Sequence, residues 1–128
     1  MAKTIHQEVS IKASPAKVYA ALTDGDTFSA ATGAPAKIEN NAGGEVSLFG
    51  GQIAARNIEL VPGKRVVQAW RAGNWEDGLY SVARFELQAD GDNTKVVFDH
   101  TGYPDEGHDM LEGGWHKMYW EPLTKHFG

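Results

Sequence analysis

The chain has 128 residues, of which 41% are hydrophobic and 23% charged, with a formal net charge of −5 and no cysteine. That composition fits one folded domain over residues 1–128 and excludes a disordered chain, disulfides, thiolate nucleophiles and Cys-based zinc sites. The acidic balance and the scattered Lys and Arg residues also exclude a nucleic-acid surface, which needs a basic stripe to displace counterions.

The chain opens on "TIHQEVSI", a strand in which Ile5, Val9 and Ile11 share one face and His6, Glu8 and Ser10 the other. This alternation is unlike the apolar core of a secretory signal, so none is expected. No apolar run reaches the roughly eighteen residues of a membrane span, and the cytoplasm is the expected location. In "ASPAKVYAALTD", Ser14 is a suitable N-cap and Pro15 suits the first helical position, with Val18, Ala21 and Leu22 at helical spacing. A further short helix is expected in "GDTFSAATG", ending at Gly33.

Lys37 to Thr101 reads as successive strands with turn punctuation. "KIENNAGGEVSLF" is strand, Asn/Gly-rich turn, strand; Pro62-Gly63 separates two β-branched runs; Asp-Gly-Asp-Asn joins the last pair as a hairpin. Strands linked by such short turns are antiparallel. Parity places Val66, Gln68 and Trp70 on one face of their strand. It sends Ser81, Ala83, Phe85 and Leu87 inward, and likewise Val96, Phe98 and His100. An inner face carrying Gln68, Ser81 and His100 is more polar than packing alone requires.

The last segment, about Pro104 to Phe127, is expected to be a long helix, with a bend or break at Pro122. At about 100° per residue, Leu111, Trp115, Met118 and Pro122 form a packing stripe. Tyr119, Trp120, Leu123 and Phe127 widen it, and Glu112 and His116 project within the same broad arc. Gly113 and Gly114 mark either the effective start of this helix or a close backbone approach. His108, Glu112 and His116 are spaced like ligands on one helical flank, but no zinc motif or second ligand cluster accompanies them, so no metal is assigned.

Four blocks carry a resemblance: "ASPAKVYAALTD", "SLFGGQI", "LVPGKRVVQAWR" and "GGWHKMYWEPL". In this order they resemble homologues of the activator of the heat-shock protein 90 ATPase, in its C-terminal domain. That group belongs to the START-like (SRPBCC, helix-grip) superfamily, and the likeness runs from about Thr4 to His126. The resemblance implies an α+β fold: a curved antiparallel sheet of about six to seven strands, two short helices and a long C-terminal helix across the sheet. It further implies a cavity or groove between helix and sheet, which relatives use for hydrophobic compounds. The eukaryotic co-chaperone also has a separate N-terminal domain, for which 128 residues leave no room.

Three functions follow from these residues. The first is non-enzymatic binding of a small apolar ligand, with Gln68, Trp70, Ser81, Phe85, His100, Glu112, Trp115, His116 and Tyr119 as candidate site residues. The second is a protein-interaction module with a chaperone partner, motivated by Trp75, an aromatic in the loop "AGNWEDG" that either stands exposed or folds back to cover the sheet end. The third is a cyclase- or hydrolase-like enzyme using His100 or His116 as base. Asp99 has the wrong parity to orient His100, and no nucleophile elbow, phosphate loop or cofactor motif is present. The balance is against an enzyme, and no catalytic residue or cofactor is assigned.

Overall fold

A computed structural model describes residues 4–127. Its elements are β1 (Thr4–Ile11), α1 (Pro15–Thr23), α2 (Gly25–Thr32), β2 (Ala36–Ile38), β3 (Glu45–Leu48), β4 (Ile53–Val61), β5 (Arg65–Ala72), β6 (Ser81–Asp90) and β7 (Asn93–Thr101). The closing helix comprises α3 (His108–Trp115), a π-helical turn (His116–Trp120) and α4 (Glu121–Phe127). This is the expected α+β architecture. All seven strands form one antiparallel sheet in the order β1-β7-β6-β5-β4-β3-β2. Strands β2 to β7 therefore run as a meander, and β1 returns to pair with β7.

The alternation read from the sequence matches the burial observed. Ile5, Gln7 and Ile11 of β1 point into the core, as do Val66, Gln68 and Trp70 of β5. Ser81, Ala83, Phe85 and Leu87 of β6 face Val96, Phe98 and His100 of β7 across the inner surface. Strand β4 departs from simple alternation: Asn57 pairs with Gln68 and Glu59 with Val67, leaving Ile58 as an extra residue. This bulge turns Ile58 outward, where it is 52% exposed, and keeps Asn57 wholly buried.

Ser14 accepts a hydrogen bond from the Lys17 N–H at the start of α1, with Pro15 in the first helical position. Val18, Ala21 and Leu22 of α1 and Phe28 of α2 enter the core. Gly33 closes α2 in the left-handed conformation, φ 75°, which glycine adopts without steric penalty.

The closing helix corrects the projected stripe. Its buried residues are Trp115, Tyr119, Trp120 and Leu123, whereas Met118 is 40% exposed and Leu111 and Pro122 are only half-buried. For the residues beyond Trp115 the physical reason is the π-helical turn, in which the Glu121 N–H reaches back five residues to the His116 carbonyl. That inserts one residue into the helical phase, so a uniform 100° projection fails beyond Trp115. Pro122 follows immediately; it lacks an N–H for the Met118 carbonyl and its ring needs clearance there, which the wider turn supplies. Gly113 and Gly114 lie inside α3, and a Cβ at either would meet nothing within 4 Å. Neither a helix start nor close packing accounts for them.

Candidate functional site

The interior beneath the closing helix holds several polar side chains, most of them fully paired. His100, at 0% exposure, sits between β6 and the helix. The Trp115 indole N–H donates to its Nδ1 at 3.0 Å, so the ring proton resides on Nε2. Nε2 donates to the Ser81 hydroxyl at 2.6 Å, and that hydroxyl donates onward to the Trp70 carbonyl at 3.0 Å. Burial pulls the His100 pKa down to about 4, because the imidazolium would lose its hydration there. His100 is therefore neutral near pH 7, with both ring nitrogens committed. The network holds the sheet to the helix and leaves no ring nitrogen free to take a substrate proton.

Two further pairs complete this interior. Gln7 accepts from the Trp120 indole at 2.7 Å and donates to the Glu112 carbonyl at 3.0 Å, tying β1 to both halves of the closing helix. Asn57 donates to the Glu39 carbonyl at 2.9 Å and accepts from Gln68 at 3.1 Å.

Aromatic rings fill the space around these bonds. Trp115 lies 4.3 Å from Phe98, 4.4 Å from Tyr119 and 5.2 Å from Trp70, between ring centroids. Trp75, for which exposure in the loop and folding back over the sheet end were both open, takes the second course: it is half-buried and lies edge-on to Trp70 at 5.6 Å.

Beside this cluster, a cleft of about 220 Å³ separates the closing helix from the sheet. Its helix wall is Met110, Leu111, Gly114, Trp115, Met118 and Tyr119; its sheet wall is Phe49, Gln52, Ile53, Trp70 and Ala72. Phe49 carries a positive φ of 55°, uncommon for a residue with a Cβ, and its ring packs edge-on to Phe28 and Tyr119. The cleft adjoins a groove of about 570 Å³ that shares Ala72, Met110 and Leu111 and runs beneath Trp75. A larger concavity of about 760 Å³ beside α2 and β2–β4 is lined by Asp26, Lys37, Glu39, Glu45 and Arg56 among others. Its mixed charges are those of an ordinary wet surface. The smaller cleft is the better candidate because its walls are apolar and two buried polar atoms beside it lack partners. Those atoms are Trp70 Nε1 and the Tyr119 hydroxyl, neither of which has a hydrogen-bond partner of normal geometry among the described residues. Burial pushes the Tyr119 phenol well above its usual pKa, with the adjacent Trp70 indole opposing in part, so the hydroxyl keeps its proton.

The structure brings Trp70, Trp115 and Tyr119 together on the cleft wall. Gln68, Ser81, Phe85 and His100 lie in the paired and packed core behind it. Glu112 and His116 are on the solvent side, outside the arc projected for them. Glu112 stands 3.5 Å from His108, which also bonds the Tyr103 hydroxyl. Among the described residues no group of three or more His, Cys, Asp or Glu could hold a metal ion, and no helix is long and apolar enough to cross a membrane. Sequence reasoning did not single out Phe49, Gln52 or Ile53. The pair Gly50-Gly51 was the available signal, since it marks a turn that brings the β3–β4 connection over the helix.

The family described as "Activator of Hsp90 ATPase homolog 1-like protein" matches residues 12–128. An activator of 90 kDa heat shock protein ATPase homolog from Dictyostelium discoideum is 33% identical over 114 residues, covering 88% of this chain and 30% of that protein. Homolog 1 of Homo sapiens is 27% identical over 115 residues, covering 90% and 34%. The chain thus spans about a third of the length of the curated relatives it matches. Among solved structures, an HSP90 activator from Plasmodium falciparum superposes with a TM-score of 0.85 at 21% identity, over 92% of this chain and 91% of that one. That agreement establishes the fold, with its curved sheet and C-terminal helix. With a family match over nearly the whole chain, this protein belongs to the activator of Hsp90 ATPase homolog 1-like family.

Proposed function

We infer that the chain binds a small, largely apolar ligand in the cleft between the closing helix and the sheet, without catalysing a reaction. The observation that carries this reading is the cleft itself: aromatic and aliphatic walls with few polar groups, which is how small-molecule sites are built. Its volume exceeds the roughly 150 Å³ of an apolar protein cavity that accommodates benzene. Gly114 supplies the test. A Cβ there meets open space, and leaving glycine strengthens the helix, so Gly114→Leu fills the cleft without disturbing the fold. Fatty acids, sterols and aromatic polyketides are to be screened by thermal shift and native mass spectrometry. At least one class should stabilise the wild type saturably and fail to stabilise Gly114→Leu. Uniform absence of binding sinks the reading.

A second reading is a protein-interaction module for a chaperone, consistent with a cytoplasmic location. It is favoured by the names of the curated relatives and by Met110, 79% exposed at the cleft mouth near Trp75. Stimulation of the host's own heat-shock 90 ATPase by this chain, lost in Met110→Glu, is the expected result. An unchanged ATPase rate counts against it.

A further inference from the structure

We propose that Trp70 Nε1 and the Tyr119 hydroxyl form a two-donor clamp for the oxygen of a neutral, carbonyl-bearing ring compound held in the helix–sheet cleft. This rests on the ligand-binding reading above and names the chemistry that the cleft selects.

Three observations carry it. First, the other polar side chains of this interior are paired: His100 with Ser81 and Trp115, Gln7 with Trp120, Asn57 with Gln68. Trp70 Nε1 and the Tyr119 hydroxyl are the buried side-chain atoms lacking a partner of normal geometry among the described residues, and both residues line the cleft. A buried donor left unbonded is costly, so two such donors beside one cavity mark where a ligand acceptor belongs. Second, the two groups are adjacent and donate in different ways: the indole is close enough to the phenol to oppose the rise in its pKa, but without a hydrogen bond of normal geometry. An indole N–H can only donate, and the buried phenol retains its proton, so a single oxygen with two lone pairs can accept from both.

Third, the walls carry no charge to match an anion. Gln52 and the Trp115 indole, whose N–H is taken by His100, are the polar side chains on them besides the pair itself, and no Lys, Arg or His is among the residues lining the cleft. A carboxylate would lose its hydration without gaining a cation, whereas a ketone, aldehyde or quinone oxygen needs only the two donors. Fatty acids and other anionic amphiphiles are thereby disfavoured. Cleft size restricts the body to one or two rings, with room for a substituent to run into the groove beneath Trp75.

The test uses three ligands of one shape, 2-acetylnaphthalene, 2-ethylnaphthalene and 2-naphthoate, titrated against the full chain by calorimetry and quenching of tryptophan fluorescence. The ketone should bind about tenfold more tightly than the hydrocarbon, and the carboxylate more weakly than the ketone. The carbonyl stretch of the bound ketone should move to lower frequency, as expected for an oxygen accepting hydrogen bonds. Tyr119→Phe keeps the ring and should remove most of the ketone's advantage while leaving 2-ethylnaphthalene binding unchanged. Trp70→Phe should do the same, and the isosteric Tyr119→Phe stands as the decisive variant if Trp70→Phe fails to fold. Equal affinity for ketone and hydrocarbon overturns the clamp but leaves the cleft a binding site. A carboxylate that binds best overturns the neutral class. No binding by any of the three, with Gly114→Leu indistinguishable from wild type, overturns both the clamp and the site.

Discussion

The His100 cluster and the Trp70–Tyr119 pair share one aromatic interior, and Trp70 belongs to both. Its carbonyl ends the chain from Trp115 through His100 and Ser81, while its indole N–H stands among the unpartnered atoms. In the first cluster every donor meets an acceptor, which is how a polar group becomes a rigid part of a core. In the second, donors are buried beside a cleft without being used. The difference separates polarity that holds this fold together from polarity available to a ligand. Buried polar residues cannot be sorted into those roles by type, only by whether their bonds are complete.

The largest expected effect is on the closed cluster, through pH. An unfolded histidine titrates near 6.5, while His100 in the fold titrates at about 4. Between these values the unfolded chain binds the extra proton, so stability is complete above pH 6.5 and declines as pH falls towards 4. The loss attributable to this residue is about 3 kcal/mol. His6 acts in the opposite sense: hydrogen bonds to Asp99 and Glu8 raise its pKa, giving stability that is present in acid and lost as pH rises. The difference in urea unfolding between wild type and His100→Gln, which both keep His6, isolates the His100 contribution. Equal pH slopes for the two proteins from 6.5 to 4 would contradict the buried neutral assignment.

Next in size is Ser81→Ala, which leaves the His100 Nε2–H buried without an acceptor. A loss of about 1–3 kcal/mol is expected in urea denaturation. A change below about 0.5 kcal/mol would mean that the cluster is less closed than its distances indicate.

Tyr119→Phe should shift stability in the other direction, by up to about 1 kcal/mol, since it deletes a buried hydroxyl with no partner of normal geometry and keeps the ring packed against Phe28 and Trp115. The contrast in sign between Ser81→Ala and Tyr119→Phe is the sharpest form of the comparison. Destabilisation by Tyr119→Phe in the absence of ligand would place the hydroxyl in a completed network after all.

How far this interior could be read in advance depends on the period of each element. A strand has a fixed period of two, so parity alone sent Gln68, Ser81, Phe85 and His100 inward, where they lie. Gln7 has the same parity as Ile5 and Val9 and was equally legible. Its partners, Trp120 and the Glu112 carbonyl, were not, since they lie more than a hundred residues away. Asn57 was hidden by the bulge at Ile58, which no alternation announces. Beyond Trp115 the closing helix misled for one reason, the π-helical turn ahead of Pro122. The proline signalled an irregularity, but not the added residue that rotates everything after Trp115. Sequence could thus place Trp70, Trp115 and Tyr119 near one another, while the state of their hydrogen bonds required coordinates.

The smallest effects are expected at Glu112 and His116, and the second of them tests the helical phase. Both side chains are exposed, and Glu112 makes only a 3.5 Å contact with His108, an i,i+4 pair of marginal worth. The carbonyl of Glu112, which Gln7 needs, survives any side-chain change. Glu112→Ala and His116→Ala should therefore each alter stability by less than about 0.5 kcal/mol in urea unfolding. They should also leave ketone binding within the error of the titration. Had the closing helix continued as a uniform α-helix, His116 would stand in the lane of Tyr119 and its removal would weaken that binding. Unchanged affinity in His116→Ala, beside lost ketone preference in Tyr119→Phe, would place the phase shift between these two residues on functional grounds.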